Sequence, residues 1–273
     1  MRFGLDLAQQ RMPFDELVGR ARFADEAGFD GIWGFDHFQP MYGEGPGECF
    51  EGNTTLAALS GHTSRARLGL LVTGMTYRHP AVFAAEAITI DHASGGRFEL
   101  AYGAAWFDHE HRALGIPFSS TGDRIDAFEE AVQIVRGLLT TDGFTFEGKH
   151  FQVQDATLRP RPVQQPHPPI WIGASGELRT MPIAAKYADA WHCYGPVEVL
   201  AAKSERISAH AEAAGRDPAA ILRASSLSLD GDWDEVARTI DGWRDAGFGY
   251  LVCGWPGEGR GRVEEFVERF LSS

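Results

Sequence analysis

Two proton-handling residues stand side by side in the segment Trp33-Gly34-Phe35-Asp36-His37-Phe38. An imidazole titrates near neutrality and both takes and gives a proton, so His37 is the strongest single candidate for acid–base work. Asp36 could orient a partner. The same pair would serve equally to cap a strand and bond to the next loop. Adjacent side chains on a strand point to opposite faces, so only one of the two is expected to enter a cavity.

Three further segments carry chemistry. Asp108-His109-Glu110-His111 holds four potential metal ligands in a row. A metal site needs three or more ligands that converge, and the order differs from the HExxH helix, so a polar loop over a cavity is expected and no metal. Glu110 reads as a hydrogen-bond partner for a heterocycle or a neighbouring loop. Gly173-Ala174-Ser175-Gly176 precedes a helix. Small residues there let backbone N–H groups approach an anion, and the helix N-terminus adds a favourable dipole. Turns into helices are often rich in Gly and Ser, so position gives this one its weight. Arg78, in Thr76-Tyr77-Arg78-His79-Pro80, could hold a carboxylate or phosphate, or bind nearby acids in a surface turn. Arg97, after Ser94-Gly95-Gly96, reads as structural. Trp171, Trp191 and Trp255 could line a cavity or fill the core, and Trp171 suits the core.

These segments need elements to position them, and strand and helix patterns alternate along the chain. Strands are expected at 3–8, 30–35, 68–72, 98–102, 170–172, 190–193, 221–229 and 250–253. Helices follow: one starting at Pro13 and closed by Gly28, one capped by Asn53, then 80–92, a long one ending at Leu139, 177–187 with Pro182 as an irregularity, 197–214, 233–246 and 263–271. Residues 103–118 read as a loop. Phe144 to Phe151 alternates around a turn as a small hairpin, and five prolines between Pro160 and Pro169 make a stiff connector. Residues 144–169 are thus an insertion in a single domain, 1–273, whose periodicity resumes at once.

Eight strand–helix pairs with right-handed crossovers close into a (β/α)8 TIM barrel. The rival, an open doubly wound sheet, lacks its signature: Ala8-Gln9-Gln10-Arg11 after the first strand contains no glycine. In such a barrel chemistry sits at the strand C-terminal ends, which is where the segments above fall.

Composition bounds the rest. The chain has 273 residues, 44% of them hydrophobic, and a formal charge of -13 spread along its length. That acidity argues against non-specific nucleic-acid binding. The three cysteines, Cys49, Cys193 and Cys253, form no CxxC pair, so neither a zinc ribbon nor a disulfide framework is supported. No apolar run is long enough for a signal peptide or membrane span, and a cytoplasmic location is expected.

Taken together, Trp33-x-x-Asp36-His37, Thr76-Tyr77-Arg78-His79-Pro80, Ser94-Gly95-Gly96-Arg97 and the run Gly103 to Gly115 resemble the bacterial luciferase-like monooxygenase superfamily. Within it the chain looks like the F420-dependent oxidoreductases of actinobacterial type, over nearly its whole length. The resemblance implies a flavin or the 5-deazaflavin coenzyme F420 at the strand C-terminal ends. It also implies a non-prolyl cis peptide within Leu71, Val72, Thr73 and Gly74, bulging against the cofactor ring. Residue by residue, His37 matches the active-site histidine and Asp36 its neighbour. Gly103, Trp106 and Glu110 match the cofactor-proximal loop, and Gly173, Ala174 and Ser175 the phosphate-binding turn. Two departures stand out: Gly103-Ala104-Ala105-Trp106 has fewer glycines than relatives often carry, and the region before Asp230 is short, which implies a more open site. The loop 39–50, with Met41, Tyr42, Glu44 and Cys49, looks like a specificity element. Trp191 joins Met41, Tyr42 and the anion anchor Arg78 as substrate-side candidates.

The activity implied is hydride transfer between F420 and a small organic substrate. The alternatives are an FMNH2-dependent monooxygenase served by a partner reductase, and a barrel that binds cofactor without turnover. The resemblance also implies a homodimer.

Overall fold

The computed structural model describes residues 1–271. Parallel strands form on short, largely buried segments, and helices return the chain between them. In chain order the elements begin β1 (Arg2–Asp6), α1 (Phe14–Glu26), β2 (Gly31–Gly34), α2 (Gly52–Ser60), β3 (Arg67–Leu70), β4 (Thr73–Gly74) and α3 (Pro80–Ala93). They continue with β5 (Phe98–Gly103), α4 (Asp108–Leu114), α5 (Thr121–Thr140) and the antiparallel hairpin β6 (Phe144–Glu147) and β7 (Gln152–Ala156). The second half is β8 (Ile170–Gly173), α6 (Thr180–Tyr187), β9 (Ala190–His192), α7 (Val197–Ala213), β10 (Leu222–Leu227), α8 (Trp233–Asp245), β11 (Tyr250–Gly254) and α9 (Arg260–Phe266).

The parallel strands run in the order β3-β2-β1-β11-β10-β9-β8-β5-β4, and β3 also pairs with β5. That last pairing closes the sheet. Because β3 and β4 are two halves of one barrel strand, the result is the eight-stranded (β/α)8 barrel expected, with the hairpin inserted between α5 and β8. None of the described helices is long and apolar enough to cross a membrane.

Period-two alternation fixes what fills the barrel. Trp33, Trp171 and Tyr250 plug the interior, with the Trp33 ring 4.6 Å from that of Trp171 and Trp33 Nε1 donating to Tyr250 Oη at 3.0 Å. Gly69 faces the same interior, and a Cβ there would sit 2.9 Å from Trp33 Cε3, so the bare backbone makes room for the indole. Two residues on from Ala101, Trp171, Ala190 and Ala224 of this interior cluster come Gly103, Gly173, His192 and Ser226 at the barrel mouth, while on β11 that step reaches Val252, with Gly254 beyond it and level with Asp6.

Local expectations differ in four places. The third strand breaks after Leu70, and the Leu71–Val72 peptide is cis, inside the window expected for it. Within the loop expected at 103–118 lies α4, a helix of seven residues, too short to show a helical period. Its C-terminal Gly115 adopts φ 69°, the left-handed cap that favours glycine. The cap of α2 is Glu51, whose carboxylate accepts the Asn53 and Thr54 amides, rather than Asn53. α6 begins at Thr180, so Pro182 occupies its third position, where no intrahelical N–H is needed.

Candidate active site

A cleft of about 390 Å³ opens at the C-terminal ends of the strands. Its floor is Leu71, Val72, Gly103 and Gly173, and its walls include His37, Tyr77, Ala104, Ala105, Trp106, His192 and Tyr194. The glycines are required. A Cβ on Gly103 would lie 2.6 Å from Val72 Cγ2, and one on Gly173 would lie 3.1 Å from the same side chain. Val72 therefore rises between two bare strands and leaves a flat apolar shelf.

His37 stands beside this shelf. Its position is set by the backbone before it: the Phe35 amide donates to Gln9 Oε1 at 3.1 Å, and the Gln9 side-chain amide donates to the Phe35 carbonyl. Its ring is held from behind by Glu110, 73 residues away, with Nδ1 3.1 Å from Oε2. Glu110 is fully buried and also accepts the Phe38 amide at 2.6 Å, the Gln39 amide at 2.8 Å and the Tyr77 hydroxyl at 2.6 Å. Burial alone would raise its pKa. The hydrogen bonds from His37, Tyr77 and Phe38 outweigh it and hold the carboxyl below its ordinary value. A carboxylate at Nδ1 makes that nitrogen the N–H donor and leaves Nε2 as the acceptor on the cleft side.

Asp36 has a different task. Its side chain is buried and accepts from Arg78 at 2.6 and 2.9 Å and from the Gly74 amide at 2.9 Å. Burial raises its pKa against the opposing pull of Arg78. The guanidinium is also paired with Glu51 and Glu86, and Asp36 and these acids hold it charged against burial. Asp36 thus ties the His37 segment to the start of the Gly74 turn. Arg78, expected as an anchor for a substrate anion, is instead shared among three of the protein's own carboxylates.

Other candidates separate in the same way. Gly173, Ala174, Ser175, Gly103 and Trp106 line the cleft with Leu71, Val72 and Gly74. Thr73 does not: it is buried and points its hydroxyl to Asn53, 3.5 Å away. Trp191, expected on the substrate side, is wholly buried and donates Nε1 to the Ala174 carbonyl at 2.7 Å. One step of strand alternation sends it outward and sends His192 into the mouth. Met41 and Tyr42 lie outside the cleft lining. The Met41 amide bonds to Gln10 Oε1 at 2.6 Å, while Tyr42 is largely exposed on the rim. Arg97 is structural as expected, donating to the Ser60, Thr63, Ala66 and Ser94 carbonyls. Trp171 is core, its Nε1 on Glu99 at 2.6 Å.

Sequence reasoning missed four contributors. Gln9 and Tyr77 position the His37 segment from other loops. His192 sits among strand-end residues but was masked by its tryptophan neighbour. Lys203, on α7, donates to the Ser175 carbonyl at 2.7 Å and brings a cation to the glycine turn. Away from the cleft, Asp123, Asp126 and His150 place ligand atoms within 4.8 Å of one another. Lys149 and Arg179 already pair with the two aspartates.

Residues 1–229 match the luciferase-like monooxygenase family. The chain belongs to that family. It is 32% identical over 247 residues to an F420-dependent hydroxymycolic acid dehydrogenase of Mycobacterium tuberculosis, an alignment covering 88% of this chain and 66% of that one. It is 28% identical over 234 residues to an FMNH(2)-dependent dimethylsulfone monooxygenase of Pseudomonas putida, covering 85% and 63%. With an F420-dependent glucose-6-phosphate dehydrogenase of Microbacterium testaceum it shares 32% over 192 residues, 70% and 56% of the two chains. The chain thus spans between about half and two thirds of the length of these curated relatives. An F420-dependent secondary alcohol dehydrogenase has the same fold, with a TM-score of 0.88 at 19% identity over 98% of this chain and 97% of the other. These relatives include both F420-dependent dehydrogenases and an FMNH(2)-dependent monooxygenase, which supports a flavin-like cofactor for the family.

Proposed function

We propose that this protein is an F420-dependent oxidoreductase that transfers a hydride between the deazaflavin and a small organic substrate. The observation that carries the reading is the Glu110-anchored His37 beside the glycine-flanked Val72 shelf. The shelf suits a planar ring, because a side chain on Gly103 or Gly173 would fill the space above Val72. The Gly173–Ser175 turn and Lys203 suit a phosphate group, through backbone N–H groups and a cation.

When bound, oxidised F420 supplies the hydride acceptor, and the reduced form supplies the donor. The protein handles the accompanying proton. As an alcohol loses hydride from its carbon, the hydroxyl proton passes to His37 Nε2, and the carbonyl product forms. In the reverse direction the protonated imidazole returns it to the developing alkoxide. Glu110 keeps the ring in the tautomer that this requires and stabilises the imidazolium. Asp36 and Gln9 are positioning residues, since each acts on the backbone that carries His37 rather than on substrate. The relatives at 32% identity that use F420 support this choice of cofactor.

The test is to measure binding of F420 and of FMN to the purified protein separately. Micromolar or tighter F420 binding without FMN binding is expected. FMN binding alone, with oxygen consumed when reduced FMN is supplied, would replace the proposal with a monooxygenase.

A further inference from the structure

The strand ends at the barrel mouth fall into two unlike groups. In the first, Gly103 and Gly173 flank Val72. Beside Gly173, whose partner on β9 is His192, His192 and Tyr194 line the cleft, and β10, β11 and β1 continue the rim with Ser226, Gly254 and Asp6. The strands are neighbours, β9 beside β10, β10 beside β11 and β11 beside β1; His192 is level with Ala224, Ser226 with Val252 and Asp6 with Gly254, so the arc climbs two residues per strand from β9 to β11. Ser226 Oγ lies 3.4 Å from His192 Nε2. Gly254 leaves open space in this arc, as a Cβ there would meet no atom within 4 Å. Burial raises the pKa of the Tyr42 and Tyr194 hydroxyls, and the charge of nearby Asp6 adds to it.

We infer that the Asp6–Gly254–Ser226–His192 arc is the substrate subsite, and that it takes an uncharged hydroxyl or carbonyl compound in preference to a phosphorylated or carboxylated one. The inference rests on the hydride-transfer reading above and adds the substrate class to it.

The charge inventory supports this. Among the described residues no lysine or arginine lines the cleft. Cations around it are committed to other groups: Arg78 to Asp36, Glu51 and Glu86, Arg11 to the Tyr42 and Gly45 carbonyls, and Lys203 to the Ser175 carbonyl of the glycine turn. The ionisable groups of the arc are a carboxyl and a neutral imidazole. Burial drives the His192 pKa down to about 3, so it meets a ligand uncharged. Burial raises Asp6 to about 6, against its one backbone hydrogen bond from Ala8. Asp6 is the acid of the mouth without a basic partner, in contrast to Asp36 with Arg78 and Glu110 with His37. A ligand hydroxyl can donate to its carboxylate, whereas a phosphate brought beside it meets a like charge. Ser226 and His192 each add a hydrogen-bonding group suited to a hydroxyl or a carbonyl oxygen.

The experiment uses matched pairs of ligands on the F420-loaded protein: glycerol against glycerol 3-phosphate, and glucose against glucose 6-phosphate. Binding is read from bound F420 fluorescence and from tryptophan emission, since Trp106 is exposed at the cleft wall, and KM is read alongside. The neutral member of at least one pair is expected to bind at least ~10-fold more tightly than its phosphate. Asp6→Asn is expected to tighten phosphate binding at least ~10-fold and to leave the F420 Kd unchanged. Circular dichroism checks that the variant is folded, and Ser226→Ala gives a second variant, expected to weaken the neutral ligand alone. Tighter binding of the phosphates by the wild-type protein, binding of neither member of either pair, or no change in preference with Asp6→Asn overturns the inference. Failure of F420 to bind sinks the cofactor reading alone. The tryptophan titration on the cofactor-free protein then decides the charge preference.

Discussion

Replacing Glu110 by Gln tests the chemistry assigned to His37, because it preserves shape and removes charge. The wild-type carboxylate takes two backbone amides on Oε1 and the His37 ring and Tyr77 hydroxyl on Oε2. A glutamine whose oxygen stays with the Phe38 and Gln39 amides turns its NH2 toward His37 and Tyr77. The hydroxyl can rotate to accept. The imidazole must place a lone pair on Nδ1, and so carries its proton on Nε2 toward the cleft. The acceptor that the reaction needs becomes a donor. Hydrogen bonds to a charged group are each worth about 1.5–3 kcal/mol, against about 1 for neutral ones. Two retained amide bonds that each lose about 1 kcal/mol give a cost of about 2 kcal/mol. For a chain of this size that lowers Tm by roughly 4–8 °C. Loss of general-base action lowers kcat by ~10²–10⁴-fold. The assay combines hydride transfer at saturating cofactor and substrate, the F420 Kd and a thermal melt, with the His37 tautomer read from 15N shifts. Turnover within threefold of wild type, in a variant whose tautomer has switched, would refute the role given to Nε2.

Three further outcomes follow from the same geometry. Arg78→Met leaves Asp36 buried without its cation beside Glu51 and Glu86, and urea unfolding should show a loss of about 3–5 kcal/mol; a loss below 1 would contradict the structural role given to Arg78. Gly103→Ala drives a Cβ against Val72, so stability should fall by about 1–3 kcal/mol along with cofactor affinity, and Val72→Ala in the same chain should restore most of the stability. His192 has a folded pKa of about 3, below its unfolded value. Its contribution is therefore present above about pH 6.5 and lost as pH falls toward 3, by at most about 1.4 kcal/mol per pH unit. His192→Gln should flatten the acid limb of a stability–pH profile in that window, and an unchanged limb would show that His192 is not held neutral.

Much of the fold is legible in the chain because its signals are local. Gly28 marks a helix end, where it adopts a positive φ, and Pro80 starts α3 where its missing N–H costs nothing. Alternation of apolar strands and amphipathic helices implies crossovers, and crossovers imply a barrel. Where a signal is shorter than its period it disappears, as α4 does in seven residues. The site is legible only as a set of strand-end segments. His37 and the Gly173–Ser175 turn stand out by residue type, and Trp191 stands out for the wrong reason. Its size hides that its neighbour His192 is the residue facing the mouth.

Local chemistry and periodicity, both readable residue by residue, determined the barrel and singled out its strand C-terminal ends and His37 as the candidates for chemistry. Family membership and the expected cofactor class followed from the same residues. Tertiary structure decided the partners. Glu110 reaches His37 across 73 residues, Arg78 is claimed by three internal acids, and Ser226 meets His192 on a ring that exists only once β3 pairs with β5. The reason is that a residue's type and phase along a strand are properties of the chain nearby. Which charges neutralise one another, and which are left for a ligand, depends on distances that only barrel closure sets.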